Sequence, residues 1–94
     1  MKTKNQLFSL DTLIGNWESV NLNPTVIIYK NDNTYCLSFI YINETSKQAN
    51  PATYEIQQDE EGYFIRCNFK RKAISYDASM DTLNISSLGD YMRN

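Results

Sequence analysis

Leu13-Ile14-Gly15-Asn16-Trp17-Glu18 marks the point where one periodicity ends and another begins. Upstream, Leu7, Leu10 and Ile14 recur at helical spacing with Leu13 beside them, which predicts a short amphipathic helix over residues 7–14. Gly15 suits the positive-φ position just past a helix terminus. Downstream, apolar and polar residues alternate, so that Trp17 is directed inward and Glu18 outward. Trp17 is the single tryptophan and is large enough to floor a small core.

From there the strand rhythm continues. Asn23-Pro24 marks a turn, because the residue before proline avoids helix. Thr25 to Lys30 is dense in β-branched residues, Asn31-Asp32-Asn33 has hairpin chemistry, and Thr34 to Ile42 is the returning strand. A loop of two or four residues would set Lys30 opposite Tyr35, with Val26 and Ile28 on the face of Leu37 and Phe39. A loop of three would put Ile27 and Tyr29 there instead, and the sequence leaves both registers open. Glu44 to Pro51 is polar and reads as a loop, and Thr53 to Gln57 as a strand. After the turn Asp59-Glu60-Glu61-Gly62 comes a clean period of two, with Tyr63, Ile65, Cys67 and Phe69 on one face. Ile74 and Tyr76, then Leu83 and Ile85, continue that face, and Tyr91 shares parity with Arg93 in the tail.

Roughly seven short strands over residues 16–93, behind one helix, imply an all-β antiparallel up-and-down meander in a single domain, 1–94. Each strand has one apolar face. The sheet must therefore close into a small barrel or dimerise face to face.

Composition narrows the function classes. With 94 residues, 41% hydrophobic content and seven tyrosines, the chain has enough apolar material for one modest core. A net charge of −2 draws it to neither nucleic acid nor anionic lipid. Lys2 and Lys4 precede an apolar run that Asp11 interrupts, too short for a signal-peptide core, and no later stretch could span a bilayer. The expectation is a cytoplasmic protein with no membrane association. In that compartment the glycosylation patterns at Asn43 and Asn84 carry no meaning, and Cys36 and Cys67, phased to opposite faces, are expected to stay reduced. There is no histidine, which removes the commonest general base and metal ligand.

A helical turn leading into Gly15-Asn16-Trp17, followed by an antiparallel meander, resembles the lipocalin-like barrels. More narrowly, residues Leu10 to Arg93 resemble the small lipocalin-like domains of unknown function carried on conjugative mobile elements of gut anaerobes. The resemblance implies that Arg93 packs across the Trp17 ring, a contact contributing about 0.5–2 kcal/mol. Gly15, Trp17 and Arg93 are thereby expected to be structural residues.

No phosphate loop, Cys-x-x-Cys pair, nucleophile elbow or Ser/His/Asp constellation is present, so no catalytic residue, metal ligand or cofactor is assigned. Asp59-Glu60-Glu61 reads as a solvated hairpin tip, and Asp77 and Asp81 frame a turn without EF-hand spacing. Arg66, Lys70, Arg71 and Lys72 with Phe64 nearby resemble a single-strand nucleic-acid surface, against which the acidic total weighs. Trp17, Tyr35, Tyr54, Tyr63 and Tyr76 could line a pocket for a small apolar or aromatic ligand. A dry pocket of about 300 Å3 would cost roughly 7 kcal/mol, most of a small domain's stability, so a filled interior is favoured. Phe64 and, in the preferred register, Tyr29 fall on the polar face as exposed aromatics. They are the candidate surface for a protein partner or a homodimer. The expectation is a non-catalytic interaction module acting through a sheet face or edge. The alternative is a carrier of a small apolar ligand, and the further alternative weak binding of single-stranded nucleic acid.

Overall fold

The computed structural model describes residues 8–42 and 45–93. Lys2, Lys4, Leu7, Asn43 and Glu44, named above, lie outside them. Only one turn of the expected helix forms, α1 (Leu10–Leu13), with Ser9 as N-cap accepting from the Asp11 N–H at 3.1 Å. Ile14 is already extended, and Gly15 takes φ 145°, a region closed to residues with a Cβ.

Among the described residues nine strands follow: β1 (Gly15–Ser19), β2 (Thr25–Asn31), β3 (Thr34–Ile42), β4 (Ala49–Glu55), β5 (Gln57–Asp59), β6 (Gly62–Cys67), β7 (Lys70–Asp77), β8 (Thr82–Ile85) and β9 (Gly89–Arg93). All neighbouring pairs are antiparallel, in the order β4-β3-β2-β1-β9-β8-β7-β6-β5. The first and last strands therefore pair, with Trp17 opposite Arg93 and Ser19 opposite Tyr91. The two ends of the order are consecutive in the chain. β4 pairs with β3, the Ile56 N–H donates to the Tyr35 carbonyl at 2.8 Å, and β5 then pairs with β6. One long run thus changes partners at Ile56 and brings the sheet round into a nearly closed barrel. Tyr54 on β4 and Cys67 on β6 meet across the remaining seam.

The hairpin register resolves to the two-residue turn. Asn31 pairs with Thr34, Lys30 with Tyr35 and Ile28 with Leu37, while Asp32 takes φ 57°. Trp17, Val26, Ile28, Leu37, Ile65, Leu83, Ile85 and Tyr91 are fully enclosed and alternate along their strands as the period of two requires. Cys36 and Cys67 are free thiols.

Two local expectations are corrected. Phe69 does not continue the inward face, because Cys67 pairs with Lys70 and leaves Asn68-Phe69 as a two-residue turn. Both turn residues take positive φ, 52° and 67°, the sign pattern of a type I′ turn. The stretch read as a loop to Pro51 is strand from Ala49 onward, and Pro51 is tolerated because β4 lies at an end of the sheet order.

Alternating strand directions sort the connections onto two ends. α1 shares one end with the turns at 32–33, 60–61 and 78–81. The opposite end carries the connections 20–24, 68–69 and 86–88, and the described part of the β3–β4 connection.

Candidate functional site

At the helix end the sequence-chosen aromatics come together as a stopper. The Trp17 Nε1–H donates to the Leu13 carbonyl at 2.8 Å, tying the indole to α1. The Arg93 guanidinium covers the ring at 4.1 Å. The same guanidinium donates to both carboxylate oxygens of Asp81, at 3.0 and 3.1 Å, and to the Thr12 carbonyl at 2.9 Å. Tyr76 Oη donates to Asp81 at 2.6 Å, and Tyr35 Oη donates to Asp11 at 2.5 Å. Phe8 packs between Tyr63 and Tyr76, with ring centroids 5.2 and 5.8 Å apart.

The electrostatics follow these bonds. The Arg93 guanidinium, and after it the Tyr76 hydroxyl, hold the Asp81 carboxyl below the ordinary carboxylate range. Donation to a carboxylate holds Tyr35 and Tyr76 above the ordinary phenol value. Of the residues expected to line a ligand pocket, Trp17, Tyr35 and Tyr76 therefore spend their polar atoms inside the chain. Tyr63 packs under Phe8. Tyr54 stands apart at the seam, 5.9 Å from the Phe39 ring, its phenol raised by burial first and then by Cys67.

The barrel wall differs from expectation. Phe64 does face outward, but it is only 4% exposed because Arg71 and Arg66 lie over its ring at 4.5 and 5.2 Å. Arg71 is itself clamped by Asp59 at 2.8 and 3.0 Å, with Glu61 at 3.6 Å. The flat ring that would stack on a base or a partner is thus covered by the chain's own cations. Tyr29 also faces outward and is half-buried, with Ser38 Oγ donating to its hydroxyl at 3.4 Å. Lys72 donates to Ser87 Oγ at 2.7 Å. Among the described residues, no three Cys, Asp or Glu side chains converge as a metal site requires.

The loop-bearing end holds what the sequence reading missed. Leu22 is 98% exposed and Phe69 99% exposed, and both are non-glycine residues at positive φ. Val20, Ile42 and Tyr41 add exposed apolar surface at the same end. Leu22 sits in a braced loop. Ser19 Oγ accepts from the Asn21 and Asn23 N–H groups at 2.9 and 3.0 Å, and the Asn23 side chain donates to the Leu88 carbonyl at 2.6 Å. The available signal was Asn21-Leu22-Asn23-Pro24, a lone large hydrophobe among turn formers.

Inside the barrel, Tyr91 is fully enclosed, and its hydroxyl has no hydrogen-bond partner among the described residues. Burial, and then the nearby Tyr41, push this phenol up to about 12. It remains a proton donor at every physiological pH.

One family model, described as a domain of unknown function, B. Theta Gene description (DUF3876), matches residues 2–93. The chain belongs to the DUF3876 family. Neither the curated proteins nor the solved structures give a match. Family membership spans the whole barrel, from α1 through β9, and brings no assigned activity with it.

Proposed function

We propose that the chain is a non-catalytic binding module that recognises a protein partner through the loop-bearing end of its barrel. One observation carries this reading. Leu22 and Phe69 are almost wholly exposed on tight loops whose positive φ disfavours large side chains. Retaining bulky hydrophobes under backbone strain is what a contact site requires and a fold does not. The module keeps the character expected from its sequence, but its contact surface moves from Phe64 and Tyr29 to the loops. The likeness to lipocalin-like domains of mobile elements belongs to this reading, supported by Gly15, Trp17 and the stacked Arg93. So does a cytoplasmic site of action.

The test is photo-crosslinking in extracts of the source cell, with the reactive group at position 22 or 69, or at Glu18 or Glu55 on the wall away from the loops. Discrete adducts from the loop positions alone support the reading. Equal labelling from all four positions sinks it.

A second reading, a carrier of a small apolar ligand, rests on the Tyr91 hydroxyl. A buried donor without an acceptor costs about 1–3 kcal/mol, which a ligand carbonyl or carboxylate near Tyr41 and Tyr54 would offset. Native mass spectrometry decides it, since a carrier purifies with bound mass that Tyr91→Phe releases. Bare protein from both would end the idea.

A further inference from the structure

Phe69 is the turn residue immediately before β7, and an open groove lies at that strand's far end. The groove, about 320 Å3, lies on the wall formed by β7, β8 and β9 and is lined by Ser75, Tyr76, Asp77, Met80, Asn84 and Asp90, among others. We infer that the Phe69 ring of one copy docks into this groove on a second copy, so that the chain associates head to wall. This rests on the reading that the loop end recognises protein, and adds the identity of the partner.

Size, chemistry and charge agree. The volume lies at the low end for ligand clefts and suits a single aromatic side chain. The exposed Met80 supplies a thioether, a good partner for a phenyl group, while the Tyr76 ring packs inward against Phe8 and Trp17. Asp77 and Asp90 bring carboxylates to the same groove, while Lys70 follows Phe69 directly and Arg66 and Lys72 stand on the adjoining strand ends. A docked ring therefore carries cations toward the acidic groove.

Geometry makes the contact intermolecular. Lys70 and Asp77 are the two ends of β7, about 23 Å apart at about 3.3 Å per residue, so no copy reaches its own groove. The two halves of the contact are different surfaces. Such a contact is heterologous, and each bound pair keeps one free tip and one free groove.

Sedimentation across a concentration series tests this with two variants. Phe69→Gly removes the ring while giving the turn its preferred residue. Ser75→Tyr fills the groove from an exposed, outward-facing strand position and leaves Trp17 as the only tryptophan for checking the fold. Should Ser75→Tyr lose the native Trp17 emission, Met80→Lys, at an exposed turn residue, replaces it. Wild type should grow past the dimer as concentration rises and shrink back with salt. Each variant alone should remain monomeric, and their equimolar mixture should stop at a dimer, joined by the one intact tip and the one intact groove. A wild type that stays monomeric overturns the inference, as does a variant that assembles like wild type or a mixture that yields no dimer. A monomeric chain that still crosslinks another protein from position 69 would leave the loop-end reading standing and end this one.

Discussion

The Arg93 guanidinium lies 4.1 Å from the centroid of the Trp17 ring, while its nitrogens hold Asp81 and two carbonyls of the helix segment. One side chain thus joins the last strand, the first strand, α1 and the β7–β8 turn. Arg93→Ala removes the stack and leaves two helix-end carbonyls and Asp81 without that donor. Because the side chain is partly exposed, solvent screens its ion pair, and the expected loss is about 1–2 kcal/mol in urea denaturation. Trp17 emission should shift to longer wavelength. Unchanged stability and emission would show that the stopper does not depend on this residue.

Acid should loosen the same region. Asp81 is held below its ordinary value by Arg93 and Tyr76, Asp59 by Arg71, and Asp77 by Ser79. A carboxylate with a depressed folded pKa stabilises the fold above its unfolded value, about 3.9, and that contribution is lost as pH falls through the folded value. Denaturation midpoints should drop below about pH 4. The drop should be shallower in Asp81→Asn, and identical curves for the two proteins would exclude Asp81 as a contributor.

Tyr91 carries the opposite sign at the other end of the scale. Its folded value of about 12 exceeds that of an unfolded phenol, so its contribution is complete below about pH 10 and lost as pH rises through the folded value. Tyr91→Phe should flatten the alkaline loss of stability. At neutral pH it should also raise stability by about 1 kcal/mol, because it deletes a buried donor with no acceptor. Destabilisation on that substitution would mean that the hydroxyl has a partner after all.

Phe69→Gly should stabilise the monomer by about 1 kcal/mol, since glycine adopts φ 67° without the penalty a side chain meets. Thermal unfolding of dilute protein measures it. A loss of stability would show that the ring packs on the barrel.

Phe64→Ala should cost about 3 kcal/mol, the usual price for an enclosed phenyl group, although the residue points away from the barrel interior. Equilibrium unfolding in guanidinium checks this, and a cost near zero would mean that the arginine cover opens freely.

The legible parts of the fold were those fixed by local pattern. Alternation gave the inward set around Trp17, Ile65, Leu83 and Ile85, and Asn31-Asp32-Asn33 announced its hairpin while leaving open whether Val26 and Ile28 or Ile27 and Tyr29 share the face of Leu37. Phe69 was misplaced because a period of two continues on paper through any two-residue turn. Phe64 looked exposed because no periodicity shows that Arg66 and Arg71 fold over it. The tyrosines were rightly placed inward, yet their division into a stopper at Tyr35, Tyr63 and Tyr76 and a seam residue at Tyr54 depends on strands far apart in sequence. Leu22 escaped notice because a single hydrophobe in a loop has no phase at all.

The pairing of β1 with β9 imposes an order on biosynthesis. While the ribosome is still adding residues before Gly89, β1 and β8 both present bare edges, and the indole lacks its cationic lid. The nascent chain can form hairpins early, but the barrel can close only once Tyr91 to Arg93 has left the exit tunnel.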